Sequence, residues 1–277
     1  VDAAGRPMPA PVAPRRRTRE AIARATTALE SRRGPALPAG AAESVAHLRN
    51  RLVRLVGRGD TDAEAQAAEA RELDAAAKAL EAARDPFAAR TGFQRRALGA
   101  AGDGELSELA LYVPPSYRPG TGRTYPLVVA LHGLNGLPMA MLRWFFGGDD
   151  PARDQLWEDR HLEGLPPLEA FVVAPSAHGN TTYRYLGEDD TLAALDWVVA
   201  TYPIDRRRVT ITGPSMGGIG AAAVAFHYPD RFAAAAPLCG YHSYFIRGDV
   251  KTRWLRPWER FLAEERSNAE WAWNGKH

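Results

Sequence analysis

The chain has 277 residues, 45% hydrophobic and 25% charged, enough for one sizeable domain and a smaller module. No run of 18 apolar residues is present, which excludes a transmembrane helix of ordinary length, and the single cysteine, Cys239, excludes an internal disulfide. The net charge of +2 is unevenly spread: residues 1–100 carry 18 Lys+Arg against 12 Asp+Glu, and the remainder 17 against 21, giving +6 and −4.

The first residue is Val1, not Met. Either a removed segment, such as a secretory signal, or a cut chain accounts for such a start, so a secreted or periplasmic location is one expectation and the sequence leaves it open. Residues 1–14 hold Pro7, Pro9, Pro11 and Pro14 and read as an extended tail. Ala- and Arg-rich segments with helical spacing follow. Ile22, Ala25 and Leu29 make one short stripe, and Val45, Leu48, Leu52 and Leu55 make a better one that stops at Gly57. Gly34-Pro35-Ala36-Leu37-Pro38 separates the two. Thr61-Asp62-Ala63-Glu64 is a capping box that opens a long Ala-rich helix to about Arg84. Residues 1–100 therefore read as a small helical module with a tail, its stripes serving as core. Its basic charge reads as a solvated face, and no nucleic-acid partner is expected.

From about Gly104 the pattern changes. Strands are predicted at 107–113, 125–131, 170–174, 208–212 and 232–238, with helices between them, including 191–202 and 216–228. Apolar strands alternating with helices predict an α/β domain over residues 101–277 with a mostly parallel sheet. Ligands in such sheets sit at the carboxyl ends of the strands, where Leu134, Ser176, Ser215 and Cys239 fall. Cys239 reads as a small buried residue, not a nucleophile.

Gly213-Pro214-Ser215-Met216-Gly217 is the most informative stretch. It reads G-x-S-x-G between a β-branched strand and a helix of small residues, the context of a nucleophile elbow. The serine there needs a strained backbone, and its neighbours two before and two after must approach other backbone closely, which glycine permits. A Gly-rich turn with Ser215 as a plain helix cap is the bland alternative. Tyr125 to Leu131 forms a continuous apolar run that ends in His132-Gly133-Leu134-Asn135-Gly136. An H-G turn in that place supplies the second oxyanion donor of such enzymes, here the N–H of Leu134 beside that of Met216. The His132 ring reads as structural. Tyr183, Tyr241 and His242 fall on loops at the active edge and are candidate substrate contacts, with ordinary packing as the alternative. No metal site and no cofactor are expected: Glu188-Asp189-Asp190 lacks a histidine at ligand spacing and suits a helix N-terminus.

The runs Y-P-L-V-V-A-L-H-G, R-V-T-I-T-G-P-S-M-G-G and F-A-A-A-A-P-L-C-G, with H-G-N-T-T-Y-R-Y-L-G-E-D-D-T-L-A-A-L-D-W-V between the first two, resemble the prolyl-oligopeptidase-like esterases. That group is close to the polyhydroxybutyrate depolymerases and feruloyl esterases. The resemblance covers about residues 105–277. It implies an α/β-hydrolase fold, a Ser-Asp-His triad with Ser215 as nucleophile, and carboxylic ester hydrolysis.

Only 62 residues follow Ser215. In the family the acid follows the next strand and the histidine comes after one more, but after Cys239 the chain offers His242, Asp249, an aromatic helix from Trp254 to about Trp273, and His277. The hydrolase sheet is thus expected to be incomplete on its C-terminal side, with a C-terminal segment or chain of the same protein as the partner that supplies Asp and His. His242 and His178 are the internal alternatives for the base, and Asp249, Glu188 and Asp189 for the acid. Three readings of function stand: a serine esterase acting on a small-molecule or polymer ester, a serine peptidase of the prolyl-oligopeptidase type, and a non-catalytic binding module.

Overall fold

The computed structural model describes residues 16–30, 39–57, 63–99, 105–148, 166–251 and 253–276. The proline-bearing tail, the Gly34–Pro38 break, Thr61 and Asp62 of the capping box, Gly104 and His277 lie outside the described residues. The chain divides into two compact units, one of residues 1–90 and 96–99 and the other of residues 91–95 and 100–277.

The first unit holds helices α1 (Arg16–Glu30), α2 (Ala41–Gly57) and α3 (Ala63–Glu81). Ala21, Ala25 and Ala28 of α1, Val45, Leu48 and Leu52 of α2, and Ala70, Leu73, Ala77 and Leu80 of α3 recur every three or four residues and meet in one core with Phe87. In α1 the fully buried stripe is the alanine one, and Ile22 and Leu29 flank it half-buried. Small side chains let the helices approach closely, so the alanine stripe takes the centre. The helical reading of residues 1–100 is incomplete, because Gly92–Gly99 forms a strand, β1. Its Gln94, Arg95 and Arg96 are buried polar residues, so hydrophobic alternation could not reveal it.

Strands β2 (Leu106–Val113), β3 (Tyr125–Ala130), β4 (Phe171–Pro175), β5 (Ile204–Pro214) and β6 (Ala234–Leu238) join β1 in a six-stranded sheet of order β1-β2-β4-β3-β5-β6. β3 runs parallel to β4 and β5, β5 parallel to β6, and β2 antiparallel to β4. The fold is α/β with a mostly parallel sheet, as expected. Every residue of β4 is buried, and Leu127, Val129 and Ala130 of β3 are wholly buried, which is why these segments read as continuous apolar runs. Helix α4 (Pro138–Phe145) packs Met139, Met141 and Leu142 against Ala110, Tyr112, Ala130, Val172 and Ala174. Tyr117, Tyr125, Phe171 and Tyr202 stack edge to face or tilted at centroid separations of 4.8–6.3 Å.

Helix α5 (Leu186–Thr201) precedes β5, and α6 (Met216–His227) follows it. All residues of α6 from Met216 to Ala225 are buried. β6 differs from the other strands: all five of its residues are exposed. It ends the sheet, and no strand pairs with its outer side among the described residues. The expected aromatic helix is in fact two elements, α7 (Pro257–Glu265) and a 3-10 segment, Asn268–Lys276. Ser267 lies between them, and its hydroxyl donates to the Ala263 carbonyl at 2.6 Å.

Candidate active site

Ser215 lies at the junction of β5 and α6 with φ 54° and ψ −116°. This is a strained conformation for a residue with a Cβ, and the packing around it is what holds it. The Ser215 N–H donates to the Leu238 carbonyl at 2.8 Å, and its own carbonyl accepts from Ile219 N–H at 3.0 Å. The side chain is exposed.

The glycines of the elbow are required by space. A Cβ on Gly217 would lie 2.1 Å from the Leu131 carbonyl oxygen, and one on Gly213 would lie 2.3 Å from the same atom. A Cβ on Gly218 would meet the Leu238 oxygen at 2.4 Å, and one on Gly240 the Ser215 oxygen at 3.0 Å. The elbow is therefore clamped between the end of β3 and the end of β6, with no room for a methyl group on either side.

The turn after β3 passes directly beside it. A Cβ on Gly133 would sit 3.9 Å from the Ser215 Cβ. The Gly136 N–H donates to the Gly133 carbonyl at 2.9 Å and closes the turn around Leu134 and Asn135. Neither the Leu134 N–H nor the Met216 N–H donates to a protein acceptor among the described residues. Met216 is also the first residue of α6, where an unpaired N–H and the positive end of the helix dipole both favour a negative atom. The His132 ring is buried and occupied on both nitrogens, Nδ1 against the Gly133 carbonyl at 2.8 Å and Nε2 against the Ser176 carbonyl at 3.1 Å. It is structural, as expected.

The structure corrects one proposed substrate contact. Tyr183 is 0% exposed, and its hydroxyl donates to the His132 carbonyl at 3.1 Å. Burial raises its pKa well above the ordinary tyrosine value, so the phenol stays a donor. Its ring fills the space left by Gly220, where a Cβ would stand 2.4 Å from the ring. Tyr183 therefore supports the turn from below and presents no surface to a ligand. Tyr241 and His242 are half-buried on the loop just past Gly240, which itself abuts the elbow. The Tyr241 hydroxyl accepts from Arg247 Nη1 at 3.1 Å, and its ring packs edge-on against Tyr244 at 5.5 Å. Burial and the neighbouring Tyr244 raise its pKa.

Ser215 Oγ makes no hydrogen bond to any histidine among the described residues. The internal alternatives are engaged elsewhere. His242 Nδ1 lies 3.3 Å from Asn268 Nδ2, and the His242 carbonyl accepts from Ala269 N–H. His178 Nε2 is 3.2 Å from the buried carboxylate of Asp190, which also accepts from Ser107 Oγ at 2.7 Å. Glu188 binds His227 Nδ1 at 2.7 Å and the Tyr228 hydroxyl at 3.1 Å. Asp249 is exposed and paired with Arg247 at 2.9 and 3.0 Å, which lowers its pKa. Asp190, in the acidic run expected at the helix N-terminus, is buried and bonded to side chains instead. Cys239 is exposed, not buried, because β6 ends the sheet at this point. No group of three potential metal ligands occurs among the described residues.

The model of the Esterase family matches residues 104–277. Over 138 residues the chain is 28% identical to the bifunctional acetylxylan esterase/xylanase XynS20E of Neocallimastix patriciarum, a match that covers 48% of this chain and 18% of that protein. The chain thus spans less than a fifth of that relative's length. Among solved structures, the S-formylglutathione hydrolase of Staphylococcus aureus matches at 17% identity and a TM-score of 0.46, over 68% of this chain and 74% of that one. A ferulic acid esterase matches at 20% identity and a TM-score of 0.46, over 67% and 72%.

Proposed function

The chain belongs to the Esterase family, and from that premise we propose that it is a serine esterase in which Ser215 is the nucleophile. The observation that carries this reading is the strained, exposed Ser215 at the start of a helix, with the Gly133 turn against it; the Met216 and Leu134 N–H groups, without a protein acceptor among the described residues, are the donors we assign to it. Ser215 Oγ attacks the acyl carbon of an ester, and the carbonyl oxygen gains negative charge. The two N–H groups receive that charge, each donor of this kind being worth ~2.7–4 kcal/mol in the transition state. The alcohol leaves, and water then releases the acyl group from Ser215. Tyr241 and His242 lie on the loop just past Gly240, which abuts the elbow, and are the residues we assign to substrate contact.

A proton acceptor for Ser215 and its orienting carboxylate complete this chemistry. We assign both to further polypeptide of the same protein that adds beside β6. Two observations support the assignment: β6 is an edge strand with every residue exposed, and the histidines near the sheet edge are bonded to partners other than Ser215.

A fluorophosphonate probe tests the reading on the whole protein with all its chains present. Labelling that disappears in Ser215→Ala, together with turnover of p-nitrophenyl esters, is the expected result. Cleavage of peptide amides without ester turnover favours the peptidase reading. Absence of labelling in the intact preparation makes this a non-catalytic binding module.

A further inference from the structure

We infer that Asn180 is a positioning residue for the oxyanion donor Leu134, acting through a reciprocal pair of hydrogen bonds with Asn135. The inference rests on the esterase reading of Ser215. Asn135 stands in the left-handed region with φ 59°, a conformation that asparagine tolerates better than most residues. Its backbone N–H donates to Asn180 Oδ1 at 2.7 Å, and Asn180 Nδ2 donates back to Asn135 Oδ1 at 2.6 Å. One side chain thus satisfies both the main chain and the side chain of the residue immediately after Leu134.

The Leu134 N–H shares its peptide plane with the Gly133 carbonyl, and the pair holds the next plane along, which carries the Asn135 N–H. The peptide planes on either side of Leu134 are set by Gly133 and Asn135. The Gly133 end is held against the elbow and closed by the Gly136 bond. The Asn135 end is held by Asn180. Leu134 itself is 61% exposed, so its own side chain contributes little to orienting the peptide. The segment carrying Asn180 is itself anchored to the same turn at two deeper points. The Ser176 carbonyl meets His132 Nε2, and the Tyr183 hydroxyl meets the His132 carbonyl. Ala177, His178, Thr182 and Tyr183 all have positive φ, so this segment is a wound loop with Asn180 at its middle. Three contacts from one loop therefore hold the turn, and the Asn180 contact is the one made on the peptide that follows the donor. A displaced oxyanion donor costs rate far more than binding, because the negative oxygen exists only in the transition state.

Three variants in the full protein test the inference: Asn180→Ala, Asn180→Asp and Asn135→Ala/Asn180→Ala. Asn180→Asp keeps the acceptor for the Asn135 N–H and loses the returning donor. Two measurements are made. The first is amide hydrogen exchange at Leu134 and Asn135 by NMR, which needs no catalysis. The second is kcat and KM on a p-nitrophenyl ester. Asn180→Ala is expected to speed exchange at Asn135 and to lower kcat on the order of ten- to a hundredfold with KM within about twofold. Asn180→Asp is expected between it and the parent, and the double variant no worse than Asn180→Ala. Unchanged exchange in Asn180→Ala overturns the clamp. Faster exchange with unchanged kcat overturns the positioning role. A parent protein that neither turns over ester nor labels with fluorophosphonate removes the esterase reading, while exchange still decides whether the pair holds the turn.

Discussion

At the scale of single residues, the elbow and its neighbouring turn differ in how much room they leave. Gly217 faces the Leu131 carbonyl at 2.1 Å from where a Cβ would stand, and backbone cannot give way there. Gly217→Ala is therefore expected to destabilise the protein by ~1–3 kcal/mol or more, as overpacking does, and to abolish labelling of Ser215. Chemical denaturation would measure the first effect. Gly133→Ala should behave oppositely: its added methyl lies 3.6 Å from the Pro214 oxygen and 3.9 Å from the Ser215 Cβ, ordinary contact distances. Stability should change by less than about 1 kcal/mol, while the methyl narrows the approach to Ser215 and lowers kcat/KM. Equal effects on stability from the two alanines would mean that the elbow is not packed as described. Tyr183→Phe removes the donor to the His132 carbonyl and leaves a buried acceptor unpaired, at a cost of ~1–3 kcal/mol.

At the scale of elements, helix α6 is held by sheet on one side and by the Asn268–Lys276 segment on the other, and Asn268 is the tie. It is 1% exposed, and its Nδ2 donates to the Ile219 carbonyl at 2.8 Å while its Oδ1 accepts from Arg184 at 3.2 Å. Asn268→Ala leaves both partners buried without it. The expected loss is ~1–3 kcal/mol, with limited proteolysis releasing the C-terminal segment first. Strand β6 makes a second prediction at this scale. Its residues are exposed and its outer edge unpaired among the described residues, whereas β3 and β4 are buried and flanked on both sides. Hydrogen exchange should be fast over 234–238 and slow over 127–130 and 171–174. Added polypeptide that completes the sheet should slow the first set and leave the others as they were. Protection of 234–238 equal to that of β4 in this chain alone would contradict the edge assignment.

At the scale of the whole molecule, the titrations of buried groups lie on the alkaline side, while the lowered carboxylates, Asp74, Asp205 and Asp249, are at or near the surface. Burial is the first cause of raised pKa values at Tyr117, Tyr183, Tyr228 and Tyr241. A phenol whose folded pKa exceeds its unfolded value binds its proton more tightly when folded. Its contribution is complete below the ordinary tyrosine pKa of about 10 and is lost as the pH rises through the folded values. Thermal melts should be level from about pH 5 to 9 and fall steeply above 10. Tyr183→Phe should start lower and decline less, because the most perturbed phenol is gone. A slope unchanged by that substitution would assign alkaline unfolding to other groups.

What could be read without a structure was what depends on local chemistry and period. The G-x-S-x-G turn between a β-branched strand and a small-residue helix, the H-G turn after an apolar run, and the alternation of strand and helix all follow from steric and hydrophobic rules that act within about ten residues. They sufficed for the α/β sheet and for putting Ser215 at the strand-to-helix junction with the Gly133 turn beside it. β1 escaped because its interior side chains are polar and its strand character comes from its neighbour in the sheet. The burial of Tyr183 is not legible, because an aromatic on a loop looks alike whether it faces a ligand or a glycine such as Gly220, some forty residues away in sequence. The pairing of Asn180 with Asn135 and the exposure of all of β6 belong to the same class. Each depends on which distant segment lies alongside, and that is set by the order of strands in the sheet, not by any residue's own neighbours in the chain.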